Sequence, residues 1–324
     1  MADHDSSLPT IAAALKEARS VVIGAHVDPD GDAIGSVLGL TLACDLAGIP
    51  ATPVFASSSA VPGSYGFLPS VNRFRRAAML EAPDVFVALD TPSFARLGEA
   101  EPLAHSAGRV IVIDHHPDNA RLGAMSYVDP TAASTGSIIW NLLPWLRVAA
   151  NSDIATCLYT ALLTDTGRFS YQNTSPEALR TAAAMVERGV NVQQVFTHVY
   201  ENRSAGALAL IGRTLSRITC VQAGSVAYSW VSSDDFTQTG ARPEETENLI
   251  DQVRSLGGVK VVFLMKSSGD SVRVSLRAKA DADVGHIARS FGGGGHKAAA
   301  GFTWSGEADT LLPVLLQRVK QTLS

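Results

Sequence analysis

Cysteine is scarce in this chain of 324 residues. The three cysteines, Cys44, Cys157 and Cys220, lie far apart and form no CxxC pair. This spacing provides neither the paired framework of a disulfide-stapled domain nor the thiolate cluster of a metal site. We therefore expect them to be small core residues of a protein that works in a reducing compartment.

An excess of positive charge and long apolar runs are also lacking. The 26 basic residues are outnumbered by 31 acidic ones, which gives a formal net charge of −5. This balance argues against a protein that coats long duplex nucleic acid, so any nucleic-acid substrate should be short. No stretch approaches about eighteen uncharged apolar residues, and the first residues show no basic region followed by an apolar run. We expect a soluble, cytoplasmic protein without a membrane partner.

The first half of the chain alternates between two kinds of segment. Short apolar runs predict buried parallel strands, and stretches with helical spacing lie between them. This alternation predicts a doubly wound, mostly parallel α/β sheet, completed by a run of consecutive helices. The predicted strands are 20–26, 52–57, 84–90 and 109–116, and the clearest helices are 33–48, 134–148, 153–164 and 176–189.

From about residue 215 the pattern changes to hairpins with glycine-containing turns, in 217–232 and 258–279. These hairpins predict a second, smaller α+β domain. A chain of this length exceeds what one core usually holds, so two domains with a cleft between them are expected. We assign 1–190 to the first domain, 191–214 to a helical connector and 215–324 to the second domain.

Polar residues follow three of the four predicted strands and one predicted helix, in HVDPDGDAIGS, VALDTP, IDHH and TDTGRF. Ligands of open α/β sheets bind at the carboxyl ends of the strands. Aspartates there can also be ordinary helix caps, but four clusters that converge indicate a site. The candidate residues are His26, Asp30, Asp32, Asp90, Asp114, His115, His116 and Asp165.

Carboxylates that met at this edge without a cation would repel one another and raise each other's pKa. Two divalent ions would cancel the charge of the candidate aspartates other than Asp114, as in two-metal hydrolases. The mixture of imidazole and carboxylate favours Mn²⁺, with Mg²⁺ or Co²⁺ as alternatives. We interpret Asp28, another acid in the first segment, as a solvated loop residue.

Taken in order, HVDPDGDAIGS, VALDTP, IDHH and LLTDTGRF resemble the four motifs of the DHH phosphoesterase superfamily. Downstream, SLRAK and FGGGGHKAAAGF resemble the DHH-associated domain of type 1, DHHA1. The resemblance spans nearly the whole chain and is strongest to the bifunctional nanoRNases and phosphoadenosine-phosphate phosphatases. It implies a phosphoesterase that degrades RNA fragments of a few nucleotides and removes the 3′-phosphate of adenosine 3′,5′-bisphosphate (pAp).

The resemblance also implies roles for individual residues. Two metal sites would share Asp90, and a hydroxide that bridges the ions would attack phosphorus in line. Asp114 would orient the histidine pair, and His116 would contact the phosphate or protonate the leaving oxygen. The implied ligands are His26, Asp30 and Asp90 at one ion and Asp32, Asp90, His115 and Asp165 at the other.

A run of four glycines precedes a histidine and a lysine within the second domain, where a flexible linker is not expected. Glycine allows backbone N–H groups to point at an anion, and the two side chains add donors. Between residues 254 and 300, eight basic residues outnumber three acidic ones, a local excess of five. We predict a substrate-phosphate cradle formed by Gly293, Gly294, Gly295, His296 and Lys297.

Two arginines are further candidates. Arg277 alternates with Ser275 and Arg273 along one face of a predicted strand and could bind a phosphate, although this pattern is also typical of the solvated face of a sheet. Arg96 is expected either close to the metal site or on a helix surface.

Other functions share parts of this pattern. A phosphodiesterase of cyclic or linear dinucleotides would keep both halves and is the main alternative. A family II inorganic pyrophosphatase would share the metal motifs but should lack the GGGGH segment. A non-catalytic nucleotide sensor would not require intact ligands in every motif. The oligomeric state is not readable from the sequence, which leaves a homodimer open.

Overall fold

The computed structural model describes residues 6–56, 61–121, 123–246, 249–279 and 282–323. They form two compact units, the first ending at Asn202 and the second beginning at Arg203. This boundary divides the segment 191–214 between the two units. Within the described ranges, no helix combines the length and the apolar character needed to cross a bilayer.

The first unit is built on a parallel sheet of six strands. These are β1 (Val21–Gly24), β2 (Ala51–Phe55), β3 (Arg75–Arg76), β4 (Val85–Leu89), β5 (Arg109–Asp114) and β6 (Met125–Val128), in the spatial order β3-β2-β1-β4-β5-β6. Successive residues of the central strands enter two separate apolar cores, such as Val22 and Phe86 on one face and Ile23 and Val87 on the other. The strand order reverses between β1 and β4, which opens a crevice at their carboxyl ends.

Seven helices cover this sheet within the described part of the first unit. They are α1 (Leu8–Glu17), α2 (Gly31–Leu46), α3 (Glu101–Ser106), α4 (Thr135–Leu146), α5 (Ser152–Asp165), α6 (Pro176–Glu187) and α7 (Val192–Phe196). All four predicted strands and all four predicted helices are present, with ends within two residues of those expected. The doubly wound α/β class is confirmed, whereas the edge strands β3 and β6 and the helices α1 and α3 were not predicted.

Glycines allow α2 and α5 to pack very closely. A Cβ atom placed on Gly35 would lie 2.4 Å from the carbonyl oxygen of Cys157, and one on Gly39 would lie 2.4 Å from a methyl group of Leu158. One turn earlier, a Cβ on Gly31 would lie 2.5 Å from the side chain of Thr164. The three glycines recur every four residues and therefore form one stripe of α2. This packing brings the end of α5 against the start of α2.

The second unit contains a mixed sheet. Its strands are β7 (Thr219–Val221), β8 (Val226–Val231), β9 (Val261–Ser268), β10 (Ser271–Ala278), β11 (Gly294–Gly295) and β12 (Ala299–Ser305), in the order β11-β12-β10-β9-β8-β7. Both predicted hairpins, β7 with β8 and β9 with β10, are antiparallel pairs, and a parallel pairing of β8 with β9 joins them. Its helices are α8 (Ala205–Ser216), α9 (Ser233–Thr239), α10 (Leu249–Arg254), α11 (Val284–Arg289) and α12 (Ala308–Leu323). The predicted α+β character is confirmed.

Candidate metal centre

The polar segments singled out in the sequence meet at the carboxyl edge of the parallel sheet. His26 follows β1, Asp90 follows β4, and Asp114 ends β5 and is followed by the two histidines. Asp30 caps the amino end of α2, since its side chain accepts hydrogen bonds from the backbone N–H groups of Asp32 and Ala33. Since α2 and α5 pack closely, Asp165 at the last position of α5 joins the same edge.

A first cluster contains His26, Asp30 and Asp90, whose donor atoms all lie within 4.8 Å of one another. His26 Nε2 lies 3.5 Å from Asp90 Oδ2 and 4.0 Å from Asp30 Oδ1. The other ring nitrogen of His26, Nδ1, lies 2.7 Å from the carbonyl oxygen of Val27. A proton on Nδ1 donated to that carbonyl leaves Nε2 as the free lone pair that faces the carboxylates.

A second cluster surrounds the buried ring of His115. His115 Nε2 lies 3.6 Å from Asp32 Oδ2, 3.5 Å from Asp90 Oδ1 and 3.6 Å from Asp165 Oδ2. Its Nδ1 lies 3.3 Å from the carbonyl oxygen of Ala132, which again assigns the proton to Nδ1. Donor atoms that share an ion at about 2.0–2.2 Å are separated by roughly 3–3.6 Å. The second cluster therefore has the dimensions of a coordination shell.

Asp90 contributes to both clusters, one carboxylate oxygen to each. It is 2 % exposed, and its backbone adopts the left-handed conformation with φ of 52°. Non-glycine residues rarely adopt this conformation, and aspartate and asparagine tolerate it best. The turn after β4 thus places one carboxylate between the two clusters at the point where the strand order reverses.

Asp114 positions the histidine pair through hydrogen bonds. Its Oδ1 accepts hydrogen bonds from the backbone N–H groups of both histidines and from Nδ1 of His116, the last at 2.8 Å. Its Oδ2 accepts a bond from the side-chain amide of Asn119 at 2.6 Å. Asp114 is completely buried, so these bonds fix the ring of His116 and leave its Nε2 available for proton transfer.

Burial and mutual repulsion dominate the electrostatics of the carboxylates. Burial, together with the charge of Asp90, raises the pKa of Asp32 well above its usual value. Burial also raises the pKa of Asp165, to about 6. Burial opposes ionisation of Asp90 too, but the imidazoles of His115 and His26, each 3.5 Å from one of its oxygens, outweigh it and lower the pKa of Asp90.

The histidines take up part of this charge. Burial lowers the pKa of His115, yet the charge of Asp165 and the contact with Asp90 outweigh it and the net shift is well upward. Burial likewise opposes protonation of His116, but Asp114 raises its pKa to about 9. A set of buried carboxylates, with Nε2 of His26 and of His115 turned towards them, fits divalent cations.

The predicted substrate residues of the second unit occupy ordinary structural positions. Gly294 and Gly295 form β11, and the N–H groups of Gly293 and His296 donate to the carbonyl groups of Ala288 and Ala299. A Cβ on Gly293 would lie 2.2 Å from the carbonyl oxygen of Gly301. Close packing against β12 is therefore a sufficient reason for this glycine, and these two N–H groups are engaged inside the unit.

The two candidate arginines have identified neighbours. Arg277 lies on the half-exposed face of β10 with Arg273 and Ser275, as predicted, and its Nε is 3.6 Å from Asp251. Arg96 lies near the metal centre, the first of the two expected positions. Its guanidinium is 3.3 Å from the carbonyl oxygen of Val27 and equally far from His26 Nδ1.

Sequence reasoning missed the residues that hold the carboxylates in place. The first turn of α4 donates two backbone N–H groups to Asp32, from Thr135 and Gly136, and Ser36 adds a hydroxyl. Asn173 donates its side-chain amide to Asp165 Oδ2 at 3.3 Å. The run of small hydroxyl residues and glycine at the start of α4, ASTGS, was the available signal.

A doubly wound sheet that gathers two carboxylate and histidine clusters at its switch point defines a class of protein, the divalent-metal hydrolases. Two family models match the chain: DHH family, N-terminal domain, over residues 20–162, and DHHA1 domain over residues 223–324. The chain therefore belongs to the DHH family and carries a DHHA1 domain. It is a hydrolase of phosphate esters that depends on divalent metal.

Two curated relatives of the same name match along nearly their whole length. A bifunctional oligoribonuclease and PAP phosphatase NrnA from Thermus thermophilus is 33% identical, over 97% of this chain and 94% of the relative. The Bacillus subtilis protein of the same name is 26% identical, over 90% of this chain and 92% of the relative. An exopolyphosphatase-related protein from Bacteroides fragilis has a similar fold, with a TM-score of 0.85 over 97% of this chain and 95% of that chain at 23% identity.

Proposed function

We propose that this protein degrades RNA fragments of a few nucleotides and removes the 3′-phosphate of adenosine 3′,5′-bisphosphate. Both reactions would use one centre with two divalent ions. The observation that carries the proposal is the pair of donor clusters that share Asp90. They occur in a chain similar over nearly its full length to relatives named as oligoribonuclease and PAP phosphatase.

The proposed ligands are His26, Asp30 and Asp90 at one ion and Asp32, Asp90, His115 and Asp165 at the other. Mn²⁺ is the preferred ion, since it accepts imidazole and carboxylate together more readily than Mg²⁺ does. When bound, such ions lower the pKa of a water and neutralise charge on the phosphate oxygens. The chain's own contribution is to hold Nδ1 of both histidines against backbone carbonyl groups, which turns Nε2 towards the carboxylates.

His116 is the proposed proton donor to the leaving oxygen. Its Nδ1 is tied to Asp114, which raises the pKa of the ring, to about 9 in the metal-free chain, and so favours its protonated form. A protonated imidazole can donate to the 3′-oxygen as the bond to phosphorus breaks, a step that general acids accelerate by about 10²–10⁴-fold. Asp114 acts by fixing the ring orientation and stabilising the charged form.

For the second unit we propose a role in binding the substrate phosphate, through Gly293, Gly294, Gly295, His296, Lys297 and Arg277. The exposed side chain of Lys297 is the clearest donor. The N–H groups of Gly293 and His296 are already used within the unit, so we assign the main contribution to the side chains. Arg277 contributes less, because Asp251 already lies beside it.

The decisive test compares initial rates on a panel of substrates with Mn²⁺-loaded protein. The panel contains adenosine 3′,5′-bisphosphate, linear diadenylate, a five-nucleotide RNA, cyclic diadenylate and pyrophosphate, each followed by chromatography. We expect the bisphosphate and the short linear RNAs to be the best substrates. A clear preference for cyclic diadenylate or pyrophosphate would overturn the proposed substrate class, and no turnover of any of them would overturn the proposed reaction.

A further inference from the structure

One residue outside the predicted ligands donates hydrogen bonds to two of the proposed ligands. Thr135, the first residue of α4, is completely buried. Its backbone N–H donates to Asp32 Oδ2 at 2.7 Å, and its hydroxyl donates to Asp90 Oδ1 at 3.1 Å. The two carboxylates come from different elements, the start of α2 and the turn after β4. Thr135 is therefore a direct bridge between them.

The bond to Asp90 controls which oxygen faces which cluster. Asp90 Oδ1 is the oxygen near His115, and Oδ2 is the oxygen near His26. The terminal torsion of an aspartate is soft, so burial alone does not fix the plane of its carboxylate. A hydroxyl donor on Oδ1 fixes this plane and keeps one oxygen in each cluster.

The local structure makes Thr135 a rigid donor. Ser134 and Ser137 form a capping box that defines the start of α4. The next residue, Gly136, donates its N–H to Asp32 Oδ1 at 2.9 Å, and a Cβ atom there would lie 2.5 Å from the Cβ of Ala161 in α5. The first turn of α4 is thus held against α5, and Thr135 cannot shift without disturbing that packing.

We propose that Thr135 is a positioning residue that orients the Asp90 carboxylate for simultaneous use by both metal sites. This inference rests on the proposed two-ion centre. It predicts that the hydroxyl, and not the volume of the side chain, determines the affinity for Mn²⁺.

The test replaces Thr135 by valine, which keeps the shape and removes the hydroxyl, and by serine, which keeps the hydroxyl. Metal-stripped proteins are titrated with Mn²⁺ by calorimetry, and turnover of adenosine 3′,5′-bisphosphate is then measured at saturating Mn²⁺. We expect Thr135→Val to weaken Mn²⁺ binding by about 10–100-fold, the usual effect of losing a residue that orients a ligand. Thr135→Ser should restore most of this loss, and kcat should fall more than KM rises in the valine variant.

The matched control is Thr41→Val. Thr41 is also completely buried, but its hydroxyl donates to the carbonyl oxygen of Val37 in its own helix. This change should lower the melting temperature without altering Mn²⁺ affinity. A merely structural role for Thr135 would give the same behaviour.

The outcomes separate the two proposals. If the wild-type chain does not bind Mn²⁺, the two-ion centre is wrong; if it binds Mn²⁺ and Thr135→Val binds equally well, only the role of Thr135 is wrong. If the valine variant does not fold, Thr135→Ala is compared with Thr135→Ser. Equal losses in those two variants would also refute the role of the hydroxyl, whereas better binding by the serine variant would support it.

Discussion

Each unit contains a buried aspartate, and the charges of these two aspartates are compensated in different ways. In the second unit, Asp235 is 1 % exposed and accepts bonds from two arginines, from Arg213 at 3.1 Å and from Arg217 Nη2 at 2.7 Å. In the first unit, Asp32 is also 1 % exposed, but its neighbours are backbone N–H groups, the hydroxyl of Ser36 and the imidazole of His115.

The consequence appears in the direction of the pKa shifts. The hydrogen bond from Arg217 lowers the pKa of Asp235, whereas burial and the charge of Asp90 raise that of Asp32. A buried acid that the fold supplies with a permanent cation is part of the framework. A buried acid whose pKa rises lacks part of its counter-charge, and perturbed groups of this kind are typical of functional sites. The difference separates the structural ion pair of Asp235 from the proposed metal ligand Asp32.

The strongest test of this distinction exchanges the shared carboxylate for an amide. Asp90→Asn should lower kcat by about 10³-fold or more, because it removes a charge that both ions need. Asparagine tolerates the left-handed backbone at this position, so the fold should persist. The measurement is turnover of adenosine 3′,5′-bisphosphate with Mn²⁺, together with Mn²⁺ content by elemental analysis.

Asp28→Asn is the matched control for that change. Asp28 also has a φ of 52° but is exposed, and its replacement should leave Mn²⁺ content unchanged and alter stability by no more than about 0.5 kcal/mol. Equal activity of the two variants would contradict the assignment of Asp90 as the shared ligand.

Replacing His116 should have a smaller effect on turnover than replacing Asp90, and it separates proton transfer from metal binding within the first unit. His116→Asn should lower kcat by about 10²-fold or more while both ions remain bound, since His116 is not among the proposed ligands. Calorimetric Mn²⁺ titration and the pH dependence of kcat measure the two properties separately. Loss of one equivalent of Mn²⁺ would instead identify His116 as a ligand.

In the second unit, Asp235→Asn should destabilise the fold by about 3 kcal/mol, because two arginines lose the negative charge that pairs with them. The pKa of Asp235 is lower in the folded chain than in the unfolded chain, so its stabilisation is present above the unfolded pKa and is lost as pH falls. The difference in unfolding free energy between wild type and variant should therefore shrink below about pH 4. Denaturant unfolding at pH 7 and pH 3 measures it, and a difference that does not change with pH would show that the charge is not involved.

The first unit should respond to pH in the opposite direction once metal is removed. The folded-state pKa values of Asp32, Asp165, His115 and His116 are raised. These groups stabilise the folded chain at pH values below the pKa values they have in the unfolded chain. This stabilisation is lost as the pH rises through the pKa values they have in the folded chain. Between pH 5 and pH 9 the free energy of unfolding of chelator-treated protein should fall by on the order of 2 kcal/mol. Added Mn²⁺ should restore the free energy of unfolding, and thermal melting measures both effects. A stability that does not change between pH 5 and pH 9 would argue against uncompensated charge among the buried acids of the first unit.

Much of the first unit could be predicted because its signals are local. Apolar runs between polar turns located the four central strands, and the polar segments after them located the candidate ligands. The edge strand β3 has two exposed arginines, and so no apolar run marks it. Thr135, Asn119 and Asn173 were missed because their hydrogen bonds to the carboxylates span 5 to 103 residues of sequence and follow no period.

The sequence by itself determined the doubly wound sheet, the order of its central elements and the residue types at its carboxyl edge. Periodicity and turn residues are local properties, and they are sufficient for those conclusions. Only the tertiary structure decided that Asp90 presents one oxygen to each cluster, that the glycine stripe of α2 brings Asp165 to Asp32, and that Thr135 joins the two carboxylates. The reason is physical: these relations depend on close packing between distant segments, and the distance between two side chains is not a property of either segment alone.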